Sequence, residues 1–553
     1  MSAGSLCAAL KHHARITKPR WGWADSAPTG LSMGSSLLEL RGDGSNYLII
    51  FCAACLFDLL KIKICRKLKV MFKQYVRVCA LFIAILSVAV LIPSRAAHVA
   101  PTAQPSAITP WGMNVYLTKN DRDQTNDNLN VLAATARNAG VQWTLEEFPW
   151  DLIEPNNNDW RTAYDADIKF ATDNGFGIIG MLLTSPRWAR DAGCPNRISN
   201  YWCPPADVNE YAQFAAWMVE RYDGDGVADA PGSPRIAAWQ IWNEPNDVEL
   251  WPRLNGDEAA RRARYGHMAV AAYSAIKAAD PTATVILGGV YIFDGSRSDG
   301  FDFLNGANGV FQQVPAAKNA FDVWGIHPYM PTVAPDQPGL FPSVTLEGRL
   351  INARNWLSND VSRPDAPIWI TEIGWCSVVG STSCPQKTEA EQAQYLIRSF
   401  VIAQQRGIQH INWLQMEDAF NNNHLWSGAA IIKNFNGSDY DPKTAYHAYQ
   451  TLVSVLNNAT PIGTGALNKH TYNPKISQTP AAVYDYRYVR DTTDIAVLWK
   501  TGASQTVKFA LAPRKQWLFL TRAGQTFTPS INGTTATLTL SEDPIFVVQQ
   551  AAP

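Results

Sequence analysis

The feature that most constrains the fold is an alternation of apolar runs and amphipathic segments between residues 108 and 458. Eight of the runs have the length and composition of buried strands, among them "GFGIIGMLL", "RIAAWQIW" and "APIWITEI". Segments with helical periodicity separate them, such as "ADVNEYAQFAAWMVERY" and "AEQAQYLIRSFVIAQQR". Eight strand–helix units over about 350 residues predict an α/β fold, a (β/α)8 TIM barrel with insertions.

The sequence changes character after this region. Residues 463–553 contain short runs of alternating polar and apolar residues, such as "AAVYDYRYV" and "TATLTL", with Gly, Asn and Pro between them. This pattern predicts a smaller C-terminal antiparallel β-sandwich domain. Such a domain either binds carbohydrate or braces the barrel, and we favour the brace.

A secretory signal peptide is predicted at residues 71–96. Lys73 and Arg77 precede an apolar run of 15 residues, Val78 to Ile92, and small residues allow cleavage after Ala96. The run is short for a membrane span, although an uncleaved anchor is the alternative. We therefore expect a secreted or extracytoplasmic protein, membrane-anchored if the signal is not cleaved, with residues 97–107 as a linker.

Residues 1–70 have no clear periodicity and are basic. Residues 1–96 carry a net charge of +9 and the remainder carries −10. Our hypothesis is that Met71 is the true start and that residues 1–70 are upstream sequence; the alternative is a membrane-associated leader containing "YLIIFCAACLF". The acidic remainder argues against nucleic acid as a partner.

The cysteines fit an exported protein. Five of the nine lie before residue 97, which leaves Cys194, Cys203, Cys376 and Cys384. Their close spacing predicts the disulfides Cys194–Cys203 and Cys376–Cys384. The spacings are not those of a zinc site.

Two glutamates stand at the ends of predicted buried strands. In "WQIWNEPN", Pro245 cannot donate to a sheet ladder, so the strand stops beside Glu244. In "APIWITEIGW", a second apolar run reaches Glu372. These are the fourth and seventh strands, whose carboxyl ends lie across the mouth of a barrel, where catalytic groups sit. Two carboxyl groups facing a shared cleft suit glycoside hydrolysis.

The "NEP" and "TEIGW" motifs together resemble those of glycoside hydrolase clan A, the retaining barrel enzymes, most like family 39 or a family 5 relative. The resemblance covers about 350 residues. It implies that Glu244 is the acid/base, Glu372 the nucleophile and Asn243 a ligand of the sugar 2-hydroxyl. His327 and Tyr329, in "GIHPY", would contact the nucleophile or the sugar.

The resemblance also implies aromatic contacts with the sugar. The tryptophan in "INWLQMED", Trp413, would be a platform beneath the sugar, with Glu417 or Asp418 binding hydroxyl groups. Trp188, in "SPRWA", would line the cleft. The 20 tryptophans of the chain either pack the core or stack on sugars, and we expect both uses.

Two further residues of the first strand region, Trp111 and Asn114, are weaker candidates for the cleft.

One departure from the clan is evident, because many members carry Arg at the end of the second strand, whereas "WTLEEFPW" places Leu145 there. Either the alignment is shifted or this branch holds Glu372 differently.

The turn "DGDGVAD" spaces Asp223, Asp225 and Asp229 like part of a calcium loop, although the full pattern is absent and we favour a solvated acidic turn.

We expect no catalytic metal and no cofactor. The predicted function is that of a secreted retaining glycoside hydrolase acting on an oligo- or polysaccharide. A transglycosylase would use the same residues, and a non-catalytic carbohydrate-binding or envelope protein on a barrel scaffold is the alternative.

Overall fold

The computed structural model describes residues 39–42, 45–48, 107–118, 128–194, 200–292, 299–339, 344–377, 385, 387–418, 428–434, 439–468 and 482–550. Residues 1–97 and residues 98–553 are two separate compact units. The described part of the first is an antiparallel pair, Glu39–Gly42 with Ser45–Leu48. The predicted signal peptide lies outside the described residues. Within them, no helix has both the length and the hydrophobicity needed to cross a bilayer.

Eight parallel strands close into a barrel, each strand pairing with its neighbours in the chain and the eighth with the first. The barrel strands are β1 Trp111–Met113, β2 Trp143–Pro149, β3 Gly177–Leu183, β4 Ala238–Ile241, β5 Thr284–Tyr291, β6 Val323–His327, β7 Ile368–Ile373 and β8 Ile411–Trp413. All eight coincide with the predicted apolar runs. The predicted (β/α)8 barrel is therefore confirmed.

Helices on the outside of the barrel connect the strands. They are α1 Leu129–Ala139, α2 Trp150–Ile153, α3 Asp165–Asp173, α4 Val208–Arg221, α5 Glu258–Ala279, α6 Gly300–Asn305, α7 Val310–Gln313, α8 Leu346–Asn359, α9 Glu389–Gln405 and α10 Thr444–Leu456, with 3₁₀ turns at Asn200–Trp202 and Pro315–Asn319. The four longest helices, α4, α5, α8 and α9, begin at a residue whose side chain accepts a backbone N–H of the first turn. Thr388 and Glu391 form a capping box at α9, and the Asp257 carboxylate accepts two backbone N–H groups at the start of α5.

The C-terminal strands form two antiparallel sheets that pack as a sandwich, as predicted. The strands are β9 Thr460–Thr464, β10 Val483–Arg490, β11 Thr493–Lys500, β12 Gln505–Ala510, β13 Gln516–Leu520, β14 Ser530–Asn532, β15 Thr535–Leu540 and β16 Ile545–Gln550. One sheet has the order β9-β10-β11-β16-β13 and the other β12-β15-β14. Two of these strands, β9 and β14, were not predicted, and β9 begins before residue 463.

A buried carboxylate joins the sandwich to the barrel. Asp336, in the segment between β6 and α8, accepts hydrogen bonds from Arg398 of α9 at 3.3 Å and from the Trp499 indole of β11 at 2.7 Å. Tyr484 stacks on Trp499 and donates its hydroxyl proton to the Asp336 carbonyl. Arg398 and the Asp336 carboxylate are almost fully shielded from water. These contacts favour the interpretation of the sandwich as a brace.

The predicted disulfide Cys194–Cys203 is present and is confirmed. Cys376 is also disulfide-bonded, and Cys384, its predicted partner, lies outside the described residues. Most of the tryptophans that can be placed serve the core. Nine of them are less than 2 % exposed: Trp111, Trp150, Trp239, Trp242, Trp251, Trp324, Trp375, Trp413 and Trp499.

Candidate active site

Glu244 lies in a strained turn just beyond β4. The strand ends at Ile241, three residues earlier than the carboxylate, and the backbone then turns with φ of +68° at Trp242 and +43° at Glu244. Left-handed backbone is uncommon for non-glycine residues and costs about 1–3 kcal/mol in each case, so surrounding contacts must hold it. The Glu244 amide donates to the Gly289 carbonyl at 3.2 Å, which ties the turn to the next strand.

A glycine bulge in β5 makes room for this arrangement. The pairing of β5 with β6 shifts register between Gly288 and Val290. Gly289 has φ of +61°, and a methyl group on its Cα would lie 2.5 Å from Gln240 Nε2 and 3.0 Å from His327 Nε2. Glycine is therefore required here both for the backbone angle and for the close approach of two side chains.

Strands β6 and β7 supply the other groups. His327 is the last residue of β6, and its Nδ1 lies 2.7 Å from Glu244 Oε1 and 3.6 Å from Glu372 Oε2. Glu372 lies within β7, one residue before its end. Tyr329 donates its hydroxyl proton to Glu372 Oε2 at 2.9 Å. One carboxylate oxygen of each glutamate and one imidazole nitrogen of His327 all lie within 4.8 Å of one another.

The two carboxyl groups differ in their electrostatic surroundings. Burial raises the pKa of Glu244 to about 8, and the nearby charge of Asp247 adds to the shift. Burial also raises the pKa of Glu372; His327 opposes that rise, the charge of Glu244 adds to it, and the Tyr329 hydroxyl opposes it. Burial lowers the pKa of His327, so the imidazole is neutral at pH 7. Because its pKa is about 8, Glu244 carries a proton at neutral pH.

Two further polar side chains, those of His327 and Asn243, lie beside the two glutamates. His327 Nε2 lies 3.0 Å from Thr371 Oγ1, which fixes the plane of the imidazole. The Oδ1 atom of Asn243 is buried and has no hydrogen-bond partner among the described residues. An amide beside the acid with an unsatisfied oxygen suits the predicted contact with a sugar hydroxyl, and this contact stays a prediction.

The two tryptophans predicted to contact the sugar, Trp413 and Trp188, lie in enclosed positions. Trp413 is fully buried, donates its indole proton to the Ala429 carbonyl at 3.0 Å and stacks on Trp375. Trp188 is half-buried and donates to the Glu154 carbonyl at 3.0 Å. Both indole N–H groups are therefore bonded within the protein. Because Trp413 is 0% exposed, neither of its ring faces is open in this structure, and the predicted sugar contacts of both tryptophans stay predictions.

The other candidates at the strand ends are engaged with buried neighbours. Asp418 forms a 2.6 Å ion pair with Lys443, and Glu417 interacts with Tyr440. Trp111 turns away from the barrel interior and stacks on Phe400 of α9.

Asn114 does lie inside the barrel, where it bonds to two further polar side chains. Its Oδ1 accepts from Asn412 at 3.0 Å and its Nδ2 donates to the Tyr116 hydroxyl at 3.3 Å. Tyr116 and Thr371 were not predicted as site residues. Neither carries a sequence signal of its own, because a lone tyrosine or threonine after an apolar run is common in any buried strand.

The predicted departure at the second strand is reflected in the surroundings of Glu372. Leu145 lies in the apolar interior of the barrel. Among the described residues, no Lys or Arg side chain lies within ion-pair distance of Glu372, whose recorded polar neighbours are Tyr329, His327 and Glu244. In the part of the chain that can be placed, this branch holds Glu372 without a cation.

Two groups of residues have the geometry of a cation site. The first is Glu244, His327 and Glu372, in which the 2.7 Å contact between Glu244 and His327 is a hydrogen-bond distance. The second is the predicted acidic turn, whose three carboxylates also lie within 4.8 Å of one another. There the Asp225 and Val227 amides donate to the carboxylates of Asp223 and Asp225. Neither the calcium loop nor the solvated turn is tested by this geometry.

The arrangement at the barrel mouth can perform acid–base chemistry on a bond held between two carboxyl groups. One group carries a proton at neutral pH, and the other accepts a hydroxyl hydrogen bond that steadies its charge. The two are close enough to act on opposite ends of one glycosidic bond.

Comparison with known proteins agrees with this chemistry. Residues 156–418 match the family model described as cellulase (glycosyl hydrolase family 5). The matched segment is slightly less than half of the chain and contains both Glu244 and Glu372. No curated protein matches the sequence.

Several solved structures share the fold. A family 39 glycoside hydrolase from the gut symbiont Bacteroides cellulosilyticus WH2 aligns with a TM-score of 0.56 at 19% identity, covering 81% of this chain and 83% of that chain. A GH39 β-xylosidase from Caulobacter crescentus aligns with a TM-score of 0.52 at 13% identity, covering 81% and 99%. An α-L-arabinofuranosidase from Thermotoga maritima aligns with a TM-score of 0.52 at 10% identity, also covering 81% and 99%.

At such low identities these structures establish the fold alone. The family match confirms the predicted resemblance to the clan A glycoside hydrolases and the prediction that the chain is a glycosidase. The comparisons do not decide between family 39 and family 5.

The glycine bulge yields a first prediction. Gly289→Ala would force a methyl group against Gln240 and His327, which would displace the imidazole and the Glu244 turn. We expect kcat/KM for a glycoside substrate to fall by about 100-fold, because misplacement of a reacting group by about 1 Å has an effect of that size. Steady-state kinetics measure the loss.

The matched control is Gly407→Ala. Gly407 also has a left-handed backbone, with φ of +74°, but an added methyl group would meet no atom within 4 Å. Activity should be retained in this variant. Equal losses in the two variants would mean that general backbone strain, and not crowding at the site, causes the effect.

Proposed function

We propose that this chain is a secreted retaining glycoside hydrolase that cleaves O-glycosidic bonds by double displacement. Glu244 is the acid/base and Glu372 is the nucleophile. The observation that carries the proposal is the close approach of the two carboxyl groups, whose facing oxygens lie within 4.8 Å of one another at the carboxyl ends of β4 and β7.

This separation supports a covalent mechanism. Retaining glycosidases place the two carboxyl groups about 5–5.5 Å apart, whereas inverting enzymes need roughly 6.5–9.5 Å to fit a water molecule behind the sugar. A separation of this size is on the retaining side of that range, which supports direct attack of the second carboxylate on the anomeric carbon.

In the first step, a Glu372 oxygen forms a bond to the anomeric carbon as the bond to the glycosidic oxygen breaks. Glu244 gives its proton to that oxygen, and the alcohol leaves. In the second step the Glu244 carboxylate takes a proton from water, the water oxygen attacks the anomeric carbon, and Glu372 is released. A sugar hydroxyl in place of water would give transglycosylation.

The neighbours of the two glutamates divide these roles. The Tyr329 hydroxyl bond stabilises the ionised form of Glu372, which must attack. His327 bridges towards both carboxylates and holds Glu244 at 2.7 Å. Asn243 presents its unpaired Oδ1 beside Glu244, which suits a hydrogen bond from the sugar 2-hydroxyl. The hydrogen bond with the 2-hydroxyl strengthens as charge develops on the sugar in the transition state.

The substrate is an oligo- or polysaccharide or a small glycoside. The matching family model is described as a cellulase, and the similar structures include a β-xylosidase and an α-L-arabinofuranosidase. Glucosides, xylosides and arabinofuranosides are therefore the first substrates to assay, with aryl leaving groups and as soluble polysaccharides.

The assignment of the two glutamates is tested by substitution. Glu372→Gln should abolish turnover of every substrate, because it removes the nucleophile from both steps. Glu244→Gln should lower kcat/KM by about 100- to 10,000-fold for sugar leaving groups and far less for an activated aryl leaving group, which departs without a proton. Product release measured across a series of leaving groups separates the two effects.

Glu347→Gln is the control, since Glu347 is a buried carboxyl on α8 that pairs with Arg406. It should retain turnover. Hydrolysis that survives Glu372→Gln would show that another group is the nucleophile. No hydrolysis of any glycoside by the folded wild-type protein would favour a non-catalytic carbohydrate-binding protein.

The raised pKa of Glu244 predicts the alkaline limit of activity. The acid must carry a proton, and the protonated fraction falls as pH rises through its pKa of about 8. We expect kcat/KM for a substrate with a poor leaving group to fall above about pH 8, and this limb to weaken for an activated aryl glycoside. A profile that stays flat to pH 10 with a poor leaving group would exclude Glu244 as the acid.

Secretion rests on the signal-like residues 71–96, with cleavage after Ala96. Intact mass spectrometry of protein recovered from the culture medium should find Ala97 as the first residue. An N-terminus upstream of Met71, or recovery in the membrane fraction alone, would contradict the proposal.

A further inference from the structure

The loop that follows β1 is held by two polar side chains of β2. The Val115 amide donates to Thr144 Oγ1 at 3.1 Å, and Thr144 in turn donates to Glu146 Oε1 at 2.7 Å. Glu146 then accepts the Leu117 amide at 3.0 Å and both the amide and the hydroxyl of Thr118 at 3.1 Å. Three backbone amides in four residues are therefore fixed by the neighbouring strand.

Glu146 is an unusual residue to find in this position. It is fully buried, and among the described residues no Lys or Arg side chain lies within ion-pair distance of it. Burial raises its pKa to about 7, and the hydrogen bonds from Thr144, Leu117 and Thr118 oppose the rise. A buried carboxyl group without a neighbouring cation destabilises the fold. Here its hydrogen bonds go to the loop after β1 and to Thr144, which itself binds that loop.

That loop carries Tyr116 at the carboxyl end of β1, the end of the barrel at which Glu244 and Glu372 also lie. Tyr116 has φ of +56°, a strained angle that requires the surrounding contacts. Its hydroxyl accepts a hydrogen bond from Asn114 at 3.3 Å. Asn114 in turn accepts from Asn412 of β8 at 3.0 Å, and β8 pairs with β7, the strand that carries Glu372.

We propose that Glu146 is a positioning residue that sets the Tyr116 hydroxyl on the Glu372 side of the barrel mouth, where Tyr116 contacts the bound sugar. This inference rests on the proposed function, because it takes Glu372 as the nucleophile. Tyr116 is the contacting group, and Glu146 acts only through it.

A double-mutant cycle tests this relation. Tyr116→Phe should lower kcat/KM by about 10-fold, the effect expected of one lost hydrogen bond to substrate. Glu146→Gln replaces one acceptor oxygen by an amide donor that faces backbone N–H groups, so it should lower kcat/KM as well. In the Tyr116→Phe background, however, Glu146→Gln should change kcat/KM by less than about 2-fold, because the group it positions is already gone.

Hydrogen exchange supplies a readout that does not need turnover. Glu146→Gln should speed amide exchange at Leu117 and Thr118, whereas Tyr116→Phe and the control Glu347→Gln should not. Thr118→Val removes one bond to Glu146 with little change in shape and should show both effects at smaller size, which covers the case that Glu146→Gln does not fold.

The outcomes separate this inference from the proposed function. Two results would overturn the positioning role and leave the proposed function intact, provided that the wild type turns over. One is that the two losses in kcat/KM multiply in full in the double variant. The other is that amide exchange is unchanged in Glu146→Gln and Thr118→Val. A lowered melting temperature with unchanged kcat/KM would also overturn it. Absence of wild-type turnover would overturn the proposed function, and the exchange data would still decide whether Glu146 holds the loop.

Discussion

The contact on which the site depends is the sharing of one buried space by two carboxyl groups. Glu244 and Glu372 approach within 4.8 Å at a place from which water is largely excluded. Burial raises the pKa of both groups, and the charge of Glu244 adds to the rise at Glu372. Asp247 adds its repulsion on the Glu244 side, and Tyr329 donates a hydrogen bond on the Glu372 side. Two chemically identical groups thus lie in different electrostatic surroundings, as the proposed division into acid and nucleophile requires.

The backbone around this pair is shaped to keep the groups close. Glu244 does not lie on its strand but in a left-handed turn beyond it, and its amide is held by the carbonyl of Gly289. The bulge at Gly289 in turn leaves space for His327, which contacts Glu244 from the opposite side. Strain in the turn, the missing side chain in β5 and the imidazole of β6 are therefore parts of one arrangement. The closed barrel supplies the rigid frame that tolerates it.

Much of this could be predicted from the sequence, because apolar runs and strand-stopping residues are local signals. The eight barrel strands and the positions of both glutamates follow from such signals, whereas His327 and Tyr329 were expected at the site because of the resemblance to clan A. The outward-facing Trp111 could not be predicted, since the direction of a side chain depends on strand register. The polar edge strands β9 and β14 escaped prediction because few of their residues face a core. Tyr116 and Glu146 act through a loop and a neighbouring strand, so no single stretch of sequence carries their relation.

The absence of a cation beside Glu372, within the described residues, has a consequence for the rest of the site. A carboxylate that is steadied only by neutral donors depends on where those donors stand, because a hydrogen bond weakens steeply with distance and angle while the attraction of a full charge falls off more gently. The hydroxyl of Tyr329, which donates to Glu372, must therefore be placed with little freedom. On the Glu244 side, the contact between His327 Nε2 and Thr371 Oγ1 limits the imidazole. On the other side, hydrogen bonds from Thr144 and Glu146 of β2 hold the loop after β1, which carries Tyr116. A site that relies on dipoles in place of an ion pair needs more of its neighbours to be fixed, and the buried hydrogen bonds of β2 are one way to fix them.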